Sequence, residues 1–247
     1  MNTYRTAEIA RMIGIHPNTV RLYETLGLVS QPERRANGYR VFTELHLAQF
    51  RLARTALQVE VLQNGLRKNV IEIIKVSAAG RLDEALALTD RYLEKLKKER
   101  ENAEEAIEIA RRILSGKGEA KQPYLTRKET ADDLHVTIDT LRNWEMNGLL
   151  SVRRKQNGYR VYSGEDLRRL KLIRTLRCAN YSLAAILRML SALSLNPGAN
   201  LKRVIDTPGA EEEIISVCDR LITSLKAAQL NGNSMRRQLE KLKTHFS

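Results

Sequence analysis

The chain has 247 residues, with 42 Lys and Arg against 29 acids, a formal net charge of +13. A cationic surplus of that size favours a polyanionic partner, nucleic acid first and an anionic membrane surface second. No stretch offers the roughly 18 consecutive apolar residues of a membrane span, the first residues lack a signal-peptide core, and two cysteines cannot make a disulfide framework. The length suits two modest domains, and the composition predicts a cytoplasmic protein.

In chain order, Thr6 is placed to cap a helix through Ile9, Ala10 and Ile13 that Gly14 ends. Pro17 suits the first turn of a second helix carrying Val20, Arg21, Tyr23 and Glu24, which stops at Gly27. Two helices joined by so short a turn form a helix-turn-helix. Apolar pieces at Leu28-Val29 and Tyr39–Phe42 flank a polar stretch containing Asn37-Gly38, a favoured hairpin dipeptide, and predict a wing. Thr43 then caps a third helix with Leu47, Phe50 and Leu57 on its apolar face.

From residue 82 a heptad pattern begins: Leu82, Thr89, Leu96, Ala103, Ala110 on one seam and Ala85, Tyr92, Glu99, Ala106, Ile113 on its companion. Residues 115–123, rich in Gly and ending in Pro123, read as a linker. The whole unit then recurs. A shift of 121 residues pairs Thr19-Val20-Arg21 with Thr140-Leu141-Arg142, Tyr23-Glu24 with Trp144-Glu145, and Gly27-Leu28 with Gly148-Leu149. After one gap, Asn37-Gly38-Tyr39-Arg40-Val41-Phe42 meets Asn157-Gly158-Tyr159-Arg160-Val161-Tyr162, and Ser163 stands where Thr43 caps. A second heptad helix runs through Ile214, Cys218, Leu221, Leu225, Ala228, Gly232, Met235, Leu239 and Leu242.

The expected fold is therefore mainly α: two winged helix-turn-helix domains, each followed by a long coiled-coil helix. The expected boundaries are 1–80, 81–114, 115–123, 124–208 and 209–247.

A recognition helix needs side chains near its N-terminus that reach base edges, and cations that reach phosphate. Asn18 and Arg21 supply this in the first copy, Asp139 and Arg142 in the second, so the two copies are expected to read unlike half-sites. Arg34, Arg35 and Arg40, then Arg153, Arg154, Lys155 and Arg160, suit phosphate contacts from the wings. Tyr39 and Tyr159 are placed either to hydrogen-bond phosphate or to pack the wing on the helices. Tyr23 and Trp144 read as core residues. Cys178 and Cys218 read as small buried residues, and His16, His46, His135 and His245 show no ligand spacing with them, so neither metal nor cofactor is expected. No phosphate loop, catalytic carboxylate pair or nucleophile motif occurs, which argues against an enzyme. A small-molecule pocket between the wing helices and the heptad helices stays open as an alternative that no residue set marks.

The run from Thr19 to Leu28 followed by Asn37–Phe42 resembles the DNA-binding domain of the mercury-resistance-regulator (MerR) family, and the second copy is a degenerate but recognisable version with Trp144 at the usual tyrosine. The resemblance covers roughly two thirds of the chain. It implies promoter binding and regulation by bending and untwisting the DNA between promoter elements, with RNA polymerase affected through the DNA and a small-molecule effector as a further partner. A DNA-architectural or recombination-accessory protein using the same units is the alternative. In the family the heptad helices of two subunits cross antiparallel. Carried over here, that predicts either a single-chain pseudo-dimer or a homodimer, with the polar interruption at Glu99-Arg100 set opposite Gly232.

Overall fold

The computed structural model describes residues 2–58, 65–115, 124–154, 158–196, 198–207 and 217–246. The linker beyond Ser115, the wing residue Lys155, Asn157, Ile214 and the Cys218 side chain lie outside the described residues. The chain divides into two compact units, Met1–Lys98 with Leu225–Ser247, and Glu99–Ser224.

The first unit opens with β1 (Thr3–Tyr4), α1 (Thr6–Ile13), α2 (Pro17–Thr25), β2 (Glu33–Arg34), β3 (Arg40–Thr43), α3 (Glu44–Leu57) and α4 (Leu66–Ala78), and enters α5 (Leu82–Ser115). The second contains β4 (Leu125–Thr126), α6 (Arg127–Asp133), α7 (Ile138–Met146), β5 (Arg153–Arg154), β6 (Arg160–Tyr162), α8 (Gly164–Cys178), α9 (Leu183–Leu195), α10 (Leu201–Ile205) and a 3-10 turn, Val217–Arg220; α11 (Leu221–Phe246) follows.

Both sheets are antiparallel with the third segment central, in the orders β1-β3-β2 and β4-β6-β5. The wing register is the same in each: Arg34 faces Arg40 and Arg154 faces Arg160. The wing strand is Glu33–Arg34 rather than Leu28-Val29, whose side chains are buried. The two-residue strands β1 and β4 are too short to show alternation, and the sequence reading missed them. It also missed α4, α9 and α10.

Local chemistry explains the helix ends. Arg5, not Thr6, is the N-cap of α1, and its backbone N–H donates to Glu8 Oε2 at 2.6 Å. Thr43 and Ser163 cap α3 and α8 as expected. The reciprocal acceptor differs: Thr43 N donates to His46 Nδ1 at 3.0 Å, and Ser163 N to Asp166 Oδ2 at 2.8 Å. Gly14 ends α1 at φ 72°, and its counterpart His135 is held at φ 48°, a left-handed conformation that costs an L-residue about 1–2 kcal/mol.

The first core is built on Ile9, Val20, Phe42 and Phe50, all without solvent exposure; Phe50 stacks on Tyr23 and meets Phe42 edge-on. The second is built on Leu134, Trp144, Leu170, Ile173, Ile186 and Met189. The heptad positions of α5 are buried at Ala85, Thr89, Tyr92, Leu96, Ala103, Ala106 and Ala110.

Within the first unit α5 and α11 run antiparallel, because Lys243 pairs with Asp83 while Arg236 pairs with Asp90 at 2.8 Å. Such exposed pairs add little energy but report register. The register differs from expectation: Gly232 lies against Tyr92 and Leu93, not Glu99-Arg100. A Cβ at residue 232 would stand 2.7 Å from Leu93 Cδ2 and 3.3 Å from Tyr92 Cε1, so the glycine makes room for the tyrosine ring. Gln238 Nε2 also donates to Thr55 Oγ1 at 2.9 Å, tying α11 to α3. In the second unit, Tyr181 donates to the Ala103 carbonyl at 3.2 Å and Lys202 pairs with Glu104 at 2.7 Å, fastening the second half of α5.

Candidate nucleic-acid interface

Helix α2 starts where the His16 ring accepts the Asn18 N–H at 3.2 Å and Pro17 occupies its first turn. Val20 and Tyr23 turn inward, which leaves Asn18 and Arg21 on the exposed face. The two engage each other, Arg21 Nη1 donating to Asn18 Oδ1 at 2.9 Å, so amide and guanidinium are presented as one preorganised pair.

Helix α7 repeats the geometry with other residues. Thr137 caps it by accepting the Thr140 N–H at 3.1 Å, Leu141 and Trp144 are buried, and Asp139 and Arg142 are exposed. Tyr23 and Trp144 are thus core residues, as the sequence reading has them.

The wing is fixed to the recognition helix by a carboxylate. In the first unit Glu24 of α2 accepts from Arg40 Nε and lies 3.5 Å from Arg34 Nη2; its side chain is only 7% exposed. In the second, Glu145 of α7 accepts from Arg160 Nε at 2.9 Å, lies 3.9 Å from Arg127 Nη2 of α6, and is 20% exposed. Arg40 and Arg160, singled out as phosphate ligands, therefore also join wing to helix. Sequence reasoning did not assign Glu24 and Glu145 this role, although the recurrence of both Glu and Arg at the repeat spacing was the available signal.

The first wing tip is a tight turn. Gly38 N donates to Arg35 O at 2.8 Å, and Gly38 and Gly158 both have φ 79°, which only glycine adopts freely. Tyr39 and Tyr159 are 70% and 72% exposed, so neither packs the wing onto the helices. Arg34, Arg35, Arg153 and Arg154 are exposed.

A groove of about 760 Å³ runs in the first unit between β1, the start of α1, α2 and the wing. It gathers Arg5, Arg21, Arg35 and Arg40 with Glu8 as its acid, a cationic concavity suited to a phosphate backbone. Arg5 was not singled out from sequence. Tyr4 at its edge donates to Glu44, whose bond holds the phenol above its ordinary pKa.

Cys178 is exposed near the C-terminal end of α8, contrary to the expectation of a buried residue: Leu176 takes the inward position and Cys178 falls on the outer face. Among the described residues no cluster of His, Cys, Asp and Glu could hold a metal ion, and no helix is long and apolar enough to cross a membrane.

Two family models match the chain: "MerR family regulatory protein" over residues 5–42 and "MerR HTH family regulatory protein" over residues 125–193. The chain is 42% identical over 53 residues to the HTH-type transcriptional regulator CueR of Escherichia coli O6:H1, covering 22% of this chain and 39% of that protein. It is 42% identical over 41 residues to the mercuric resistance operon regulatory protein of Bacillus cereus, 17% of this chain and 31% of that one. Against the HTH-type transcriptional regulator ZntR of Escherichia coli K12 it is 30% identical over 115 residues, 46% of this chain and 74% of that protein. No solved structure gives a significant match. With one winged helix-turn-helix matched in each half and a relative matched over most of its length, the chain belongs to the MerR family and carries that family's unit twice.

Proposed function

We propose that the chain is a DNA-binding transcription regulator that engages an imperfectly palindromic promoter site with two unlike winged units and distorts the DNA within it. The observation that carries this reading is the clamp of Glu24 on Arg40 and of Glu145 on Arg160, which joins a recognition helix to a basic wing in both units. Helices α2 and α7 enter the major groove; Asn18 and Arg21 read one half-site, Asp139 and Arg142 the other. Asp139 accepts from a cytosine amine and repels phosphate, whereas Asn18 does neither in the same way. Arg34, Arg35, Arg153, Arg154 and Lys155, with Tyr39 and Tyr159, hold phosphate; Arg40 and Arg160 do so while positioning the wing.

In this reading residues 1–80 and 124–208 are the DNA-binding domains, 81–114 and 209–247 the coiled-coil helices, and 115–123 the linker. The antiparallel register of α5 and α11 supports one chain doing the work of a homodimer. The protein acts in the cytoplasm, influences RNA polymerase through DNA shape, and performs no catalytic step.

Footprinting on promoter DNA with affinities measured across salt tests the reading. The expected result is one bounded site, a single chain per site by light scattering, and a log-affinity slope against log salt of about −0.9 per phosphate neutralised. Broad coverage without a bounded site favours the architectural alternative, and a slope near zero ends the DNA-binding reading.

A further inference from the structure

The second unit contains a cavity of about 290 Å³ between the last turn of α5, α8 and α9. Its volume lies near the lower end of the roughly 300–1,000 Å³ range of ligand pockets. Leu172, Leu190 and Leu193 form an apolar wall, and the polar side is made by Arg168, Arg169 and the exposed Glu165. Cations thus outnumber acids at the lip of a greasy pocket. Arg168 is engaged within the protein, and Arg169 is the cation that links the cavity to α7.

Arg169 does two things at once. It lines the cavity, and its Nε donates to the Leu149 carbonyl at 2.6 Å. Leu149 is buried, and its own N–H bonds the Trp144 carbonyl at 3.0 Å, so the guanidinium holds the C-terminal turn of recognition helix α7. The repeat makes this specific to one unit. The matching residue in the first copy is Gln49, neutral and buried, whose Oε1 accepts from the backbone N–H and hydroxyl of Ser30 at 2.8 Å each. Packing alone is thus served by an amide, and a full charge beside an apolar cavity is an addition.

We propose that this cavity binds a small amphipathic organic anion, with its hydrocarbon body against the leucines and its carboxylate on Arg169, and that occupancy alters the hold of Arg169 on α7. The binding half stands on the cavity alone; the regulatory half rests on the reading of the chain as a DNA-binding regulator. The ligand's apolar part is favoured by burial, and a charge-assisted contact to a partly buried guanidinium selects anion over neutral analogue.

The test uses the full chain, with octanoate as probe and methyl octanoate as its uncharged control. Heats of binding and the emission of Trp144, the chain's one tryptophan, give two readouts. Octanoate is expected to bind saturably at one site, at least tenfold tighter than the ester. Arg169→Gln, which installs the first copy's residue, removes the difference between acid and ester. Leu193→Trp, read by calorimetry because it adds a second tryptophan, fills the cavity and abolishes binding of both; circular dichroism verifies that each variant is folded. Octanoate also shifts the DNA affinity of the wild-type chain and not that of Arg169→Gln. Unsaturable binding, equal binding of acid and ester, or indifference to both substitutions overturns the site. Saturable binding with unchanged DNA affinity overturns the relay alone. If the protein binds no duplex DNA, the function above fails while the calorimetric arm still decides the site.

Discussion

The two copies share a scaffold and differ on its surface, and the residues that differ separate what the fold needs from what a partner meets. Each buries an aromatic at the same place in its recognition helix, Tyr23 or Trp144, and each ties that helix to its wing through a glutamate and an arginine. Each caps its third helix with a hydroxyl and a reciprocal acceptor, although the acceptor is an imidazole in one and a carboxylate in the other. Outside that frame the identities part. Asn18 becomes Asp139, and Glu33 becomes Arg153. Glu24 takes two wing arginines, while Glu145 takes one and lies 3.9 Å from Arg127 of α6. The first unit therefore presents an amide-guanidinium pair beside a wing whose charge is partly neutralised. The second presents a mixed-charge helix beside a more basic wing. Under the function proposed above, the first is expected to be the better reader of bases and the second the better anchor on phosphate.

That division breaks most directly at the two recognition arginines. Arg21→Ala is expected to weaken binding to the cognate site by roughly 1–3 kcal/mol and to relax base preference in its half-site. Arg142→Ala should reduce affinity with less change in preference. Competition against a library of half-site variants reads both, and equal loss of preference would remove the asymmetry.

The clamps differ in depth, so their removal should differ in kind. Glu24→Gln strips a nearly buried carboxylate from two guanidiniums and should lower the stability of the first unit by about 1.5–3 kcal/mol. Glu145→Gln, at a more exposed group, should cost less. Thermal melts of the two variants rank them, and a reversed order contradicts the geometry.

A smaller contrast lies in two buried tyrosines, Tyr92 within α5 and Tyr181 bonded to it. The Tyr92 hydroxyl is buried without a hydrogen-bond partner, and burial pushes its pKa up to about 12. The Tyr181 hydroxyl has the Ala103 carbonyl, and burial, reinforced by Asp206 and Glu104, also raises it. Tyr92→Phe should raise stability by up to about 1 kcal/mol and Tyr181→Phe lower it by a similar amount. For Tyr92 the folded value exceeds the ordinary 10, so the neutral form is the stabilised one. Stability falls as pH rises from about 10 to 12, and Tyr92→Phe should flatten part of that fall. Denaturant titrations at pH 8 and above check both statements.

The smallest expected effect concerns the unlike caps. Burial holds the His46 imidazole below its ordinary pKa, with the Gln31 backbone and Glu24 opposing. Because the folded value is depressed, the unfolded chain takes up the proton first. The stability of the first unit should therefore fall as pH drops below about 6.5, by well under the cost of the whole cap. His46→Asp, which copies Asp166, should remove that slope; an unchanged slope in a pH series of melts would assign it to another group.

The repeat, the Thr43 and Ser163 caps, the turn glycines and the heptad seam of α5 were legible because each is a local pattern at fixed spacing. What escaped is set by distance. Pairing of Glu24 with Arg40 depends on how the wing folds over α2, and the placement of Gly232 against Tyr92 depends on helix register, which heptads leave free by whole turns. The short strand β1 pairs with β3 through two residues only, too few to show alternation. Cys178 was misplaced because helix α8 turns its last residues outward at a point where the apolar pattern has already ended. Among the proposed contacts, residue type indicated the charges on the wings, whereas Arg5 became visible only as a wall of the groove.

The first unit is closed by α11, and this sets an order of events on the ribosome. Residues 2–98 emerge before α11, with Tyr92 and Leu93 already placed along α5 but without the Gly232 turn of α11 that packs on them. At about 5–20 residues per second, the intervening Glu99–Ser224 takes on the order of ten seconds to appear. For that interval the nascent chain carries an open apolar strip, a surface that chaperones bind and that a neighbouring nascent copy can seize. Of the two units, the one begun earlier is thus completed later.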